Sequence, residues 1–345
     1  MRRIFLKSAA AAALTITTIG FGSTASADEV GDFYKGNVIK WIVPYDPGGG
    51  YDKYSRLIIP YFEKHTGARV DIVNLPGSGG MKGAVEIFNS PSDGLTVGII
   101  NGSAMVTNQL AEIEGANYKV GDYNFLGRIV ADKRVMVAST LSGINSYEDL
   151  IDNGKAEIIG ATGLGGSTYV DAVIVGDVLN IEQRVVHGFD RSGDIRTAML
   201  RGDVQAMWGS LGSALGGIED GDHKVILHGE KNPTGVLVGI PSIYDIAMGM
   251  EDGARKVTIL ESWEALSAVG RPVAAPPGVS EDRLTFLRNA FDQAMNDPEF
   301  LAAAKKGKRE LSFASGLDMS KIAKAATVLE ADVEALFVKA IRGEI

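Results

Sequence analysis

The sequence predicts an α/β protein whose sheets are mostly parallel or mixed, with room for two domains. Three observations carry this reading. Apolar runs of strand length alternate with amphipathic stretches along the chain. A unit of strand, glycine loop and helix occurs twice in succession within residues 38–80. The length, 345 residues, exceeds what a single core usually organises.

The first strand, residues 38–43, ends at Pro44. Pro47 and three glycines follow, then a helical pattern over residues 52–65. A second apolar run, 70–73, ends in Asn74-Leu75-Pro76-Gly77-Ser78-Gly79-Gly80, and a helical pattern resumes at Met81. Residues 95–101 read as a third strand and 125–130 as a fourth, which runs after a break into 134–139. Residues 146–151 form a short helix with Ser146 as its cap and Asp149 in its first turn. A strand at 156–161 leads through Thr162-Gly163-Leu164-Gly165-Gly166-Ser167 into a helix ending at Leu179. Strand 184–187, helix 192–201 and strand 204–208 make another β-α-β unit, with Gly202-Asp203 as helix stop and turn. Residues 224–227 are a further strand. The apolar stretch 263–269 is expected to cross back to the first domain, and 272–278 reads as a proline-rich turn. Ser280 and Glu281 cap a helix over 282–295, Asn296-Asp297-Pro298 starts another, and 319–341 reads as one long alanine-rich final helix.

Residues 1–27 have the pattern of a secretion signal. Arg2, Arg3 and Lys7 form a charged start, an apolar stretch follows at 9–21, and Ala25-Ser26-Ala27 suits cleavage. Arg2-Arg3-Ile4-Phe5-Leu6-Lys7 also matches the twin-arginine export pattern. The mature chain is expected to start near Asp28 and to work outside the cytoplasm. Composition is ordinary for a globular protein, with 45% hydrophobic and 22% charged residues. Formal net charge is −9, and loss of the three basic residues of the leader would take it to −12. Such an acidic surface argues against nucleic acid and anionic membranes. There are no cysteines, which excludes disulfides, thiol catalysis and Cys-based zinc sites.

Each glycine loop lies between the C-terminal end of a strand and the start of a helix, where open α/β sheets bind ligands. Glycine lets backbone approach a ligand, and free N–H groups of a helix start attract anions. Pro47, Gly48, Gly49 and Gly50, together with Pro76, Gly77, Ser78, Gly79 and Gly80, are therefore read as an anion pocket for a carboxylate. Tyr51 suits a pocket wall, since its ring packs and its hydroxyl bonds. Ser78 is read equally as a hydroxyl donor or a turn residue. Asp52 is favoured as a helix cap over a ligand contact, because a carboxylate facing an anion would weaken binding. Arg56, four residues on, then pairs with Asp52.

Thr162, Gly163, Gly165, Ser167, Thr168 and Tyr169 make the second-domain candidate loop. Trp208, at a strand end, is either a pocket wall or a core residue. A dinucleotide loop is the competing reading, which would make the protein an exported nucleotide-dependent oxidoreductase. Against it, Thr168 stands where G-x-G-x-x-G needs its third glycine, and His187 stands where the acidic residue belongs. His65, His187, His223 and His228 lack metal-ligand spacing. Around Ser210, Trp208 occupies the first glycine position of a nucleophile elbow. No metal and no cofactor is expected, and no hydrolase elbow is present.

Several of these motifs resemble one known family. Val43-Pro44 through Pro47-Gly48-Gly49 with Asp52 and Arg56, the segment Asn74 to Gly80, and Ser92-Asp93-Gly94-Leu95-Thr96 match it in order. So do residues 186–210, then Ala275-Pro276-Pro277-Gly278-Val279 with Arg283, Leu287, Asp297-Pro298-Glu299 and Phe300. The chain is similar to the extracytoplasmic solute receptors of tripartite tricarboxylate transporters, the TctC/Bug family, over nearly all of its mature length. It departs at Tyr169, where relatives commonly carry His, at Gly209, where many carry Asp, and at Asp46 in the first loop. The resemblance implies a two-lobed, periplasmic-binding-protein-like (type II) fold with the ligand between lobes. The lobes are then expected at 28–131 and 268–345 for the first and 132–267 for the second. It also implies a small carboxylate ligand, a tripartite tricarboxylate-type membrane permease as partner, no catalysis and a monomer. A ligand sensor contacting a membrane signalling protein remains the other reading of the same fold.

Overall fold

The computed structural model describes residues 25–151 and 156–345. The leader expected over residues 1–27 lies outside these residues, apart from its last three positions. The chain enters through helix α1 (Ala25–Lys35) and builds β1 (Val38–Val43), α2 (Gly50–Thr66), β2 (Arg69–Asn74), α3 (Met81–Phe88), β3 (Thr96–Ile99), α4 (Gly102–Leu110) and β4 (Asn124–Arg128). It crosses to a second sheet through β5 (Arg134–Ser139), α5 (Tyr147–Ile151), β6 (Glu157–Thr162), α6 (Ser167–Val178), β7 (Gln183–Phe189), α7 (Ser192–Arg201), β8 (Ala206–Ser210), α8 (Leu211–Glu219) and β9 (His223–His228). Helices α9 (Ile243–Met248) and α10 (Gly253–Val269) lead back to β10 (Pro272–Ala275). The chain closes with α11 (Glu281–Met295), α12 (Pro298–Lys306), β11 (Ala314–Ser315), α13 (Gly316–Ala325) and α14 (Ala331–Arg342).

The first sheet has the order β11-β4-β10-β3-β1-β2 and the second β7-β6-β8-β5-β9. Both are mixed. In the first, β1 runs parallel to β2 and β3, while β10 runs antiparallel to β3 and β4. In the second, β6 is parallel to β7 and β8, while β5 is antiparallel to β8 and β9. The chain thus forms two lobes, each an α/β layer stack, joined by the segments Arg128 to Arg134 and His228 to Pro272.

Strand β1 is buried on both faces, which explains its near-continuous apolar run. Trp41 packs toward Phe62 of α2 and Phe291 of α11 in the first-lobe core. Ile42 points the other way, into a core shared with the second lobe, where Met136, Trp208, Trp263 and Phe337 also lie. A third cluster, including Val137, Met199 and Met207, fills the far face of the second sheet. The shared core follows α4, α6, α10 and α14, so the lobes are joined by apolar packing along one side and open toward the cleft on the other.

Four expectations are corrected. Residues 263–269 are the end of the 17-residue helix α10, and Gly270-Arg271 makes the crossing. Trp263 and Leu266 lie on the buried face of α10, and a four-to-seven-residue apolar run does not by itself separate helix from strand. Residues 272–275 form a central strand; proline is tolerated because it stands first in the strand. The final helix is two, α13 and α14, with a break at 326–330 that lets α14 swing across to pack on α4 and α6. Ser280 occupies the cap position of α11 but its side chain makes no capping bond. The third strand is also shorter than expected. Asn101 ends it by capping α4, accepting from the Ala104 N–H at 3.2 Å.

Candidate functional site

Four helices begin at the cleft between the lobes: α2 from the first, α6, α7 and α8 from the second. None has a side chain capping its first turn. Their starts converge on one small chamber of about 40 Å³, lined by Gly49, Gly50 and Tyr51, by Thr162, Ser167 and Thr168, by Arg191 and Ser192, and by Ser210 and Ser213. Uncapped helix starts present backbone N–H groups and partial positive charge. Three guanidinium groups, Arg134, Arg191 and Arg271, line the same chamber against one carboxylate, Asp132. Such an arrangement can offer hydrogen-bond donors and positive charge to an anion.

Its charged floor is buried. Arg271 is 3% exposed, and its Nε donates to Asp132 Oδ1 and Oδ2 at 3.0 and 3.2 Å. Arg134 donates from Nε to Asp171 Oδ2 at 2.7 Å and lies 3.9 Å from Asp132. Asp171 also accepts from Trp263 Nε1 at 2.9 Å. Two positive and two negative charges thus alternate across the crossing segments, as burial of charge requires. The Arg271 plane sits over the rings of Tyr51 and Tyr54, at 4.5 and 4.8 Å. Asp132 and the two rings hold its guanidinium above the ordinary arginine range despite burial.

Tyr45, 7% exposed, divides the chamber from a neighbouring compartment of about 130 Å³ lined by Gly77, Ser78, Gly79, Gly80, Gly163 and residues 188–190. Burial pushes its hydroxyl up to about 12, so it stays protonated. It donates to Gly79 O at 2.6 Å and accepts from Asn101 Nδ2 at 2.7 Å. Asn101 Nδ2 also reaches Ser167 Oγ of the second lobe at 3.2 Å. Arg191 Nη1 donates to Pro47 O at 2.6 Å across the cleft mouth. The lobes are in contact at Asn101–Ser167 and at Pro47–Arg191, so this is a closed arrangement.

A much larger cavity, about 460 Å³, lies elsewhere, on the flank of the crossing segments. It presents Glu230, Glu264 and Glu310 against Lys133 and Arg134, and burial raises the Glu230 carboxyl. No helix start faces it. Its charge has the wrong sign for an acid, so size does not identify the site.

Of the sequence candidates, Gly49, Gly50, Tyr51, Thr162, Ser167 and Thr168 meet in the chamber. Gly77, Ser78, Gly79, Gly80 and Gly163 line its neighbour. Pro47 and Gly48 are exposed at the mouth, and Pro76 is half-buried beside its loop. Gly165 faces Asn108. Tyr169 packs edge-on to His187 on the far side of α6, and Trp208 is fully buried against Trp263. Asp52 is not the cap residue of α2, which is Gly49. It lies in the first turn and reaches back to accept from the Gly48 N–H at 2.9 Å, while pairing with Arg56 at 2.9 Å and accepting from Asn74. The loop Gly163–Ser167, the dinucleotide candidate, is packed backbone to backbone on Gly79: a Cβ on Gly163 would lie 2.7 Å from Gly79 N.

Set against known proteins, the chain matches no protein-family model. It is 35% identical over 78 residues to a UPF0065 protein in the tcbD–tcbE intergenic region of Pseudomonas sp. (strain P51), and 30% identical over 142 residues to protein BugT of Bordetella pertussis (strain Tohama I). These stretches cover 23% and 41% of this chain and only 23% and 42% of the two relatives. Among solved structures it is similar to MatC from Rhodopseudomonas palustris with bound malate, at TM-score 0.70 and 16% identity over 87% of this chain and 99% of that one. The periplasmic binding protein BugD superposes at TM-score 0.72 with 16% identity, over 88% and 97%. The chain is thus similar to proteins of the TctC/Bug family. Its fold is the two-lobed periplasmic-binding-protein type.

At the chamber, sequence reasoning missed Tyr45, Asn101, Asp132, Arg134, Arg191, Ser192, Ser210, Ser213 and Arg271. Asn101 could have been found as a cap residue directly after a strand. Arg271 left a fainter signal: a lone arginine inside the apolar run Val269 to Ala275, which has to find a buried partner. Among the described residues no group of three or more His, Asp or Glu could hold a metal ion, and no helix is long and apolar enough to cross a membrane.

Proposed function

We propose that this protein is an exported solute receptor. It captures a small carboxylate between its lobes outside the cytoplasm and delivers it, without chemical change, to a membrane permease of the tripartite tricarboxylate type. The lobes meet near residues 131/132 and 267/268 and close by hinge motion about the crossing segments. The protein acts as a monomer. The observation that carries this reading is the meeting of four uncapped helix starts and three arginines on one interlobe chamber. The family relationship and the malate found in MatC support it. With 40 Å³ free in the closed chamber, a ligand enters only when the lobes part.

The test is calorimetric titration of the purified protein with short mono- and dicarboxylates beside neutral polyols and amines. Acids are expected to bind and the others not. Binding of polyols or amines in preference to every acid overturns the reading. Delivery is tested by cell fractionation and by crosslinking to membrane subunits.

A further inference from the structure

Resting on the receptor reading, one side chain defines how the ligand is held and what kind of acid it is. Arg271 uses Nε on Asp132 and Nη2 on Ser210 Oγ at 2.8 Å. Its remaining nitrogen, Nη1, is buried and has no partner. Ser210 Oγ donates in turn to Ser213 Oγ at 2.9 Å, which leaves the Ser213 hydroxyl proton without an acceptor among the described residues. These two unused donors converge beside Gly50. A Cβ built on Gly50 would stand 2.8 Å from Arg271 Nη1 and 2.6 Å from Ser213 Oγ. An unpaired buried N–H of a guanidinium is costly, and a carboxylate oxygen satisfies it with a charge-assisted bond.

The chamber walls add a second constraint. Every residue lining it is glycine or carries a polar atom, and no aliphatic side chain faces it. The apolar surface it offers comes from aromatic rings and the stems of polar side chains, and a bare alkyl chain would strand the hydroxyl groups. The small free volume also limits the ligand to a few heavy atoms.

We propose that Arg271 Nη1 is the carboxylate anchor and that the ligand is a short hydroxy or oxo acid, whose second oxygen takes the Ser213 hydroxyl. Tyr51, Tyr54 and Asp132 hold the guanidinium in place before the ligand arrives. Gly50 is required because any side chain there fills the space both donors point into.

The experiment is titration calorimetry with two matched pairs, lactate against propionate and malate against succinate, on wild type, Arg271→Lys and Gly50→Ala. The oxygenated member of at least one pair is expected to bind the wild type at least about tenfold more tightly than its deoxy partner, as sites built around a ligand hydroxyl do. Arg271→Lys keeps a cation for Asp132 but loses the planar third nitrogen, and its affinity is expected to fall at least about tenfold. Gly50→Ala keeps the Asp132, Arg271 and Ser210 side chains, pushes the Arg271 Nη1 and Ser213 Oγ ends aside at some cost in melting temperature, and should lose the ligand to a similar degree. It carries the test even if Arg271→Lys does not fold. If acids bind the wild type but the deoxy partners bind equally well, or Gly50→Ala binds as wild type, this inference is overturned while the receptor reading stands. If no acid of either pair binds the wild type, the receptor reading fails as well.

Discussion

Replacing Gly79 by alanine separates the cost of a strained backbone from the cost of holding the lobes apart. Gly79 has φ +63°, in the left-handed region, where a side chain costs about 1–2 kcal/mol. That cost falls on the folded protein whether the cleft is open or closed. The second cost falls on the closed form alone. A Cβ on Gly79 would lie 2.8 Å from both Cα and N of Gly166 in the opposite lobe. Carbon contacts settle at about 3.5–4.0 Å, so the lobes must back away by roughly 0.7 Å at a contact between two backbones. Overpacking of this kind costs about 1–3 kcal/mol. Because ligand is held only by the closed form, Kd should rise by about 5- to 150-fold, the factor corresponding to that penalty. Stability should fall only by the backbone cost. At about 2 cal/mol/K of unfolding entropy per residue, a chain of this size loses about 1.5 °C per kcal/mol, so Tm should drop by about 2–3 °C. Gly202→Ala is the control: its φ is +80°, a Cβ there meets nothing within 4 Å, and it caps α7 away from the cleft. It should show a similar loss of Tm with unchanged Kd. Calorimetric titration and thermal unfolding read both quantities. If Gly79→Ala binds as tightly as the wild type, the loops do not meet in the liganded state and the closed geometry is wrong.

Three further outcomes are expected. Asp171→Asn leaves the Arg134 cation with only the more distant Asp132 while keeping an acceptor for Trp263; removing one partner of a buried pair costs about 3–5 kcal/mol, and urea unfolding at neutral pH should show a loss of about 3 kcal/mol. Arg56→Ala should change neither affinity nor stability by more than about 0.5 kcal/mol, since that side chain is half-exposed, whereas Asp52→Ala should cost about 1–2 kcal/mol by orphaning the Gly48 N–H; equal effects from the two in thermal unfolding would contradict this division. Asp297 is held down to about 2 by Lys64, the Glu299 N–H and His65, below its ordinary 3.8, so its contribution is present above about pH 4 and is lost as pH falls toward 2. The stability gap between wild type and Asp297→Asn should therefore be widest at pH 5–7 and close over that acid range, and a gap that stays constant down to pH 2 argues against the pairing.

The periodicity of single elements was legible because it depends on local burial. Strand β1, the helix after each glycine loop, the α7 stop at Gly202 and the Asp297 cap of α12 all stand where short-range pattern puts them. Elements decided by distant partners were not legible. The α13–α14 break depends on where α14 finds α4 and α6 to pack against. The strand β10 exists because β3 and β4 leave a gap for it between them.

The same division runs through the site. By itself the sequence determined that glycine loops precede helices, that Arg56 pairs with Asp52 four residues earlier, and that no cysteine chemistry is available. Those follow from residue type and spacing within one turn. Only the tertiary structure decided that Pro76–Gly80 lies against Gly163–Gly166 rather than against open ligand space, and that Tyr169 and Trp208 face away from the cleft. It also decided that Asp132, Arg134, Asp171 and Arg271, from two crossings and one helix, share a buried charge network. The physical reason is that a buried charge is placed by its partners, and here those partners are 37 to 139 residues apart in the chain, beyond the reach of any local pattern.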